Sequence, residues 1–320
     1  EALCIPLFQF FLYFLLRMVF EGKRRDRVLS LIMAFLLSMT RGQMMTTILM
    51  WALIFMIQLL IRRNYRAMVI PLATLLVVFG LRSLTVHVYN YFVTGYFMGN
   101  TYGQVNTLTN VIYACDEEDG EVFEEGSLER AFFDQFYDEA DALGLNYKYA
   151  GNTFGERAAY LEEHHDILKF QVLEADMSSY FFGLGKVDYY QQSSMSDEMA
   201  GRMIRKLLPA CFGQWLYDYV LLCRNGFVRS IAVVHPLINW AAFMIYLAAA
   251  GISLYLMIAK RRFEAPLAMG VALLFIAANV CATSITIMCL SRYMIYGFSI
   301  FYIAFYLAVR EIYYQIKENK

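Results

Sequence analysis

Three arginines sit where so apolar a chain has reason to avoid charge. Arg41 lies in SMTRGQMM (38–45), between the apolar runs VLSLIMAFLL (28–37) and TTILMWALIFMIQLLI (46–61). Arg82 lies in FGLRSLTVHVY (79–89), with His87 a helical turn further on, and Arg292 lies beside Tyr293 in CLSRYMIY (289–296). A guanidinium at membrane depth costs at least ~2.5 kcal/mol on insertion scales and is usually kept with an anionic partner. Its planar fork matches phosphate. The chemistry these residues point to is the capture of an anionic lipid or a lipid-linked phosphate. Two plainer readings stand beside it. Arg41 and Arg292 also read as solvated residues of short turns, and Arg82 as the partner of an acid or of a bundle carbonyl.

Other residues could do chemistry of their own. YACDEEDGEVFEEG (113–126) gathers Asp116, Glu117, Glu118, Asp119 and Glu121, and several carboxylates together suit a hard divalent ion or a polar acceptor. The spacing is not that of an EF-hand, so a solvated acidic turn is the alternative. LEEHHDIL (161–168) offers His164 and His165 with Glu162 and Asp166 at helical spacing. It lacks the H-E-x-x-H of zinc hydrolases, and an exposed helix face is the default. Tyr89, Tyr91, Tyr96 and Tyr102 could stack on a sugar, although interfacial belts are the first explanation of tyrosine in such a chain. No phosphate loop, nucleophile elbow or dinucleotide fingerprint occurs, and nucleic acid is not an expected partner. The cysteines have no metal-ligand spacing. Cys115, Cys211 and Cys223 fall in the polar middle of the chain, where one bridge is possible but a full framework is not.

The elements that must position these groups follow from composition. Of 320 residues, 59% are hydrophobic and 17% charged, and the mean hydropathy is +0.45, well above the composition of a soluble domain. Apolar runs at 2–20, 28–40, 43–61, 67–89, 231–259, 266–288 and 293–309 predict about seven spans of a polytopic, all-α membrane helix bundle. The second run is short for the ~30 Å hydrocarbon layer. The chain opens at Glu1 without Met, and no basic region precedes its first apolar run. That is unlike a signal peptide and predicts a fragment of something longer.

Basic clusters at EGKRRDR (21–27), RRNYR (62–66), KRR (260–262) and the tail from Arg310 fall on one side if the spans alternate. That side is then cytoplasmic, in a plasma membrane, with the C-terminus. Residues 1–89 form four spans and residues 231–320 form three spans and the tail. Residues 90–230 form an extracytoplasmic insertion carrying 22 acidic and 10 basic residues. The insertion reads as mainly helical. Ser127 caps a helix over 126–144 whose Leu128, Phe132, Phe136 and Leu143 line one face. Further helices are predicted over 156–170 and 197–208. Pro209 then interrupts, and an interfacial helix over 210–227 carries Trp215, Tyr217 and Tyr219.

With these elements in place, a resemblance emerges. A short span, the turn TRGQM, and then a full span resemble the TRPEG-type turn of GT-C superfamily membrane glycosyltransferases, with Gly42-Gln43 in place of Pro-Glu. SRYMIYGFSIFYIAFYLAV (291–309) is similar to the Arg-Tyr start of their last span. The resemblance implies an enzyme that takes a sugar from a polyprenyl-phosphate donor at the outer face and passes it to a glycan or lipid acceptor. It further implies that Arg41 and the Arg292-Tyr293 pair hold the lipid phosphate. Arg82 and His87 join them by topology alone. The catalytic aspartate of those proteins follows their first span, and no such segment stands here, so the catalytic base is unassigned. The cofactor is likewise unassigned, a divalent cation being one option. Two alternatives remain. One is a polymerase or ligase of lipid-linked polysaccharide, using a cation such as Arg202, Arg205 or Lys206. The other is a non-enzymatic transporter or scaffold.

Overall fold

The computed structural model describes residues 3–101, 103–230, 235–259 and 263–318, the side chains of Ser291, Arg292 and Glu318 excepted. Its helices are α1 (Cys4–Glu21), α2 (Arg24–Thr40), α3 (Met45–Ile61), α4 (Val69–Thr94), α5 (Gly103–Tyr113), α6 (Leu128–Ala142) and α7 (Phe154–Ile167). They continue as α8 (Glu174–Gly183), α9 (Tyr189–Ala210), α10 (Phe212–Val228), α11 (Pro236–Ile258), α12 (Glu264–Thr286) and α13 (Ser291–Glu318). Among the described residues there is no strand. The protein is an all-α, multi-pass membrane bundle with a second, more polar helical unit. By contact, one unit comprises Glu1–Thr85, Gly226–Ala282 and Leu290–Lys320, and the other Val86–Asn225 and Thr283–Cys289.

Among the described residues six helices are long and apolar enough to cross a bilayer: α1, α3, α4, α11, α12 and α13. The expected short span, α2, is not among them. It starts at Arg24, so its first turn is Arg-Arg-Asp-Arg, and its 17 residues reach only about 26 Å. One face of it meets neighbouring helices, while Val28, Ile32 and Leu36 stand exposed at four-residue spacing on another. It packs along α1 and α3; Ala34 and Leu37 of α2 are buried, as are Phe8, Phe11 and Leu15 of α1. Phe8 also meets Phe275 of α12, ring centroids 4.3 Å apart. At the other end of this hairpin Gly22 takes φ 67° and returns its N–H to the Met18 carbonyl, a left-handed stop that glycine adopts at little cost. The basic turn after it is anchored by the buried Asp26, 3.4 Å from Arg17, and by Arg27 lying 4.0 Å over the Phe55 ring. In α4 the balance is reversed: Leu72, Leu76, Val77, Leu81 and Leu84 all stand exposed, as side chains meeting lipid do.

In the second unit the core is made by α5, α6, α7, α8 and α9. Ser127 caps α6 by accepting from the Arg130 N–H, and Phe132, Phe133, Phe136 and Tyr137 of that helix are buried. Leu143, expected on the buried face, is 56% exposed. The helix stops at Ala142, so the periodicity no longer governs Leu143, and Gly144 (φ 68°) turns the chain away. The helix expected over 197–208 begins earlier, at Tyr189, behind a capping box of Asp188 and Gln191, and it runs one residue past Pro209. α10 leaves Phe212, Leu216 and Val220 exposed at four-residue spacing, with Phe212, Trp215 and Tyr219 stacked along it.

Candidate functional site

The turn holding Arg41 is built by its own hydroxyls. Thr40 Oγ1 donates to the Leu37 carbonyl at 2.6 Å and Ser38 Oγ to the Phe35 carbonyl at 2.7 Å, each hydroxyl bonding back onto the last turns of α2. Arg41 is extended (φ −152°, ψ 140°), and a 3₁₀ turn over Gly42–Met44 leads into α3. Thr47, buried, donates back to Met44 and so locks the start of α3. The extended residue between two helices is what carries the guanidinium off both helix surfaces.

That guanidinium meets the start of α13. Arg41 Nη1 donates to Tyr296 Oη at 2.9 Å, and its Cζ lies 5.5 Å from the centroid of the Tyr293 ring. Tyr293 and Tyr296 are three residues apart and face one side of the helix. The helix start is fixed by Asn279, whose amide donates to the Tyr293 carbonyl at 2.7 Å. From α4, Arg82 Nε donates to the Ser38 carbonyl at 3.3 Å, one turn before Arg41. Two cations therefore share the C-terminal end of α2, where the helix dipole places partial negative charge. Of the two readings of Arg82, the bundle carbonyl is the one observed. An arginine has several N–H donors, and a single long bond to a carbonyl leaves the fork able to turn to a phosphate oxygen.

The other nominated residues are placed differently. The Arg292 side chain lies outside the described residues, as do Tyr102 and the basic cluster 260–262. His87 belongs to the second unit, its ring 5.0 Å from that of Phe97. Tyr296 was not singled out in the sequence; its signal was the Tyr-x-x-Tyr spacing after Arg292.

In the second unit the acidic stretch is used by the backbone. Asp116 and Asp119 form the capping box of a 3₁₀ turn over Glu117–Val122. Tyr147 Oη donates to both Asp116 oxygens at 2.9 and 3.0 Å, and Lys148 lies 3.2 Å from one of them. Partial burial, then the carboxylate, push the Tyr147 phenol up to about 12. Glu117 points to solvent. Among the described residues no three His, Cys, Asp or Glu side chains gather as metal ligands would. Asp116 and Asp119 are thus engaged in a capped turn, with Glu117 exposed beside them. His165, expected on an exposed face, is 2% exposed, and burial holds its imidazole below its ordinary value against the opposing pull of Asp166. The cations of the alternative reading are partly committed: Arg202 bonds Glu129 at 2.9 Å and Glu198 at 3.2 Å.

One open groove of about 500 Å³ is lined by Tyr96, Phe97, Met98, Lys186 and Gln191, with Tyr96 Oη donating to Asp188 at 2.8 Å. Of the tyrosines read as possible sugar platforms, Tyr96 borders it, while Tyr89 and Tyr91 are exposed. No protein-family model matches this chain, and neither a curated protein nor a solved structure is found similar to it.

Proposed function

We propose that the chain is part of a membrane glycosyltransferase of GT-C type, taking a sugar from a polyprenyl-phosphate donor at the outer face of the plasma membrane. The observation that carries this reading is the convergence of Arg41 and Arg82 on one end of α2, with Tyr293 and Tyr296 flanking Arg41. In the proposed reaction an acceptor hydroxyl oxygen attacks the anomeric carbon, the bond from that carbon to the phosphate oxygen breaks, and polyprenyl phosphate leaves. Negative charge grows on the departing oxygen. Arg41 and Arg82 meet it with charge-assisted hydrogen bonds that strengthen as the bond breaks, which is the condition for lowering a barrier. Tyr293 stacks under Arg41 and Tyr296 accepts one of its N–H groups, so the guanidinium is oriented before the donor arrives. The acceptor's proton passes to a carboxylate; no acid of this chain is assigned that part.

The test is transfer by the full-length protein in lipid nanodiscs, supplied with polyprenyl-phosphate sugars bearing a labelled hexose and scored by label moved to a glycan or lipid acceptor. Turnover that is abolished by Arg41→Ala combined with Arg82→Ala supports the assignment. Turnover that survives the pair removes these arginines from the reaction, and binding of polyprenyl phosphate unchanged by the pair removes the phosphate site.

A further inference from the structure

Two cysteines of the second unit lie side by side although the chain separates them widely. Cys115 follows the end of α5 and Cys211 joins α9 to α10. The Cys211 thiol donates to the Val111 carbonyl at 3.9 Å. Val111 lies four residues before Cys115, so this contact brings the Cys211 sulfur to the end of α5 that carries Cys115. Cys211 is also the largest influence on the Cys115 thiol, ahead of burial. Both residues are buried, Cys115 fully and Cys211 at 5% exposure. Neither has room to wander. Asn146, itself buried, donates to the Cys115 carbonyl at 2.8 Å, and the Trp215 N–H holds the Cys211 carbonyl at 3.0 Å. All six cysteines are thiols in this structure.

We infer that Cys115 and Cys211 are a disulfide-forming pair that fastens the end of α5 to the α9–α10 junction when the chain meets a disulfide donor. The chemistry is exchange. A Cys115 thiolate attacks one sulfur of the donor R–S–S–R, releasing RS⁻ and leaving a mixed disulfide. The Cys211 thiolate then attacks the Cys115 sulfur and expels the second RS⁻. The two thiol protons end on the two RS⁻ groups, so the protein is oxidised by two electrons and the donor is reduced to two thiols.

The surroundings fit a structural bridge rather than a reactive thiol. The partner thiol, burial and the nearby acids Asp119 and Asp116 all hold the Cys115 thiol well above its ordinary value, which makes it a poor nucleophile once folded. Exchange therefore belongs to folding, before the core closes, and the finished bridge is shielded from reductant. It would close a loop of about a hundred residues, a length for which a cross-link restricts the unfolded chain strongly.

The experiment uses the full-length protein, synthesised cell-free into lipid nanodiscs with oxidised glutathione present while it folds, or with reductant in its place, then denatured and tagged with a maleimide polymer. The expected result is two fewer tags than in a reduced sample, one linked peptide joining Cys115 to Cys211, and a Tm that falls by about 10 °C on reduction. In Cys115→Ser the tag count is expected not to depend on reductant. Equal tag counts for the wild-type protein with and without reductant, or a linked peptide joining other cysteines, overturn the inference. The wild-type measurement needs no variant to fold. A second readout, acid-trapping and tagging in intact cells, bears on compartment. The bridge found there supports the extracytoplasmic placement of residues 90–230 as well. Its absence in cells, with formation in the cell-free protein, counts against that placement and leaves the pairing intact.

Discussion

Arg82→Ala is the most informative perturbation of the proposed phosphate site, because its two effects separate. In the resting protein the side chain makes one bond, 3.3 Å long, to the Ser38 carbonyl. Losing such a bond costs about 1 kcal/mol of stability, a small shift in Tm. A hydrogen bond to a charged group contributes about 1.5–3 kcal/mol, and the bond of about 1 kcal/mol to the carbonyl is given up to make it, so binding of polyprenyl phosphate should weaken roughly 2- to 30-fold. Arg41→Ala also gives up the stacking on Tyr293 and the bond to Tyr296 and should fall in the same range. If both guanidiniums hold one phosphate, the double variant should deviate from additivity by more than about 0.5 kcal/mol. Arg82→Lys keeps the charge but not the fork, and should bind between Ala and wild type. The assay is titration of a short-chain fluorescent polyprenyl phosphate into nanodiscs, with the matching polyprenol as control. Binding within twofold of wild type for both alanine variants, or equal weakening for phosphate and polyprenol, refutes the reasoning.

Other consequences concern the second unit. Asp218 is 5% exposed and burial raises its carboxyl from 3.8 to about 7, Gln214 opposing. Between those values the folded state holds a proton the unfolded state has lost, so stability should fall by up to about 4 kcal/mol as pH rises through that window. Asp218→Asn should flatten most of that slope in thermal unfolding and be more stable than wild type at pH 8; an unchanged slope contradicts it. Asp176, raised by burial to about 6, leaves a residual slope of the same sign. Gly120→Ala would drive a Cβ into the Phe133 ring and should destabilise by about 1–3 kcal/mol, read from the Tm of the solubilised protein. Phe136→Ala, at a fully buried site, should cost about 3–5 kcal/mol, and a loss under 1 kcal/mol in the same measurement would deny it a core role.

What the sequence made legible tracks the physics that leaves a periodic or compositional trace. The apolar runs marked the six long helices, and Ser127 with its phenylalanine stripe marked α6. Two further starts were written in capping boxes, Thr153 with Glu156 and Asp188 with Gln191; the serine-rich stretch after Asp188 disguised the second. α5 carries no comparable signature, because it is buried by α9 on residues of mixed type, Thr109 and Asn110 among them. The π-helical turn Leu168–Leu173, which places Lys169 in the interior beside Glu174, has no residue-type signature either.

The same reasoning explains why Arg82 was legible as a problem and not as a solution. Its charge in an apolar run is visible in the sequence; its partner is a backbone carbonyl 44 residues away, and carbonyls are identical at every position. That partner also sets the energetics of the site. The end of α2 offers partial negative charge, which stabilises a cation there without any ligand, so the site can fold empty. A phosphate has to draw Arg82 from a neutral acceptor to a charged one, and the gain is the difference between those bonds, about 1 kcal/mol against about 1.5–3. Lysine at position 82 would keep the attraction to the helix end yet offer a point charge in place of the fork. Retained stability with reduced phosphate affinity in Arg82→Lys is therefore the pattern that separates a phosphate ligand from a helix cap, since a cap alone would lose neither.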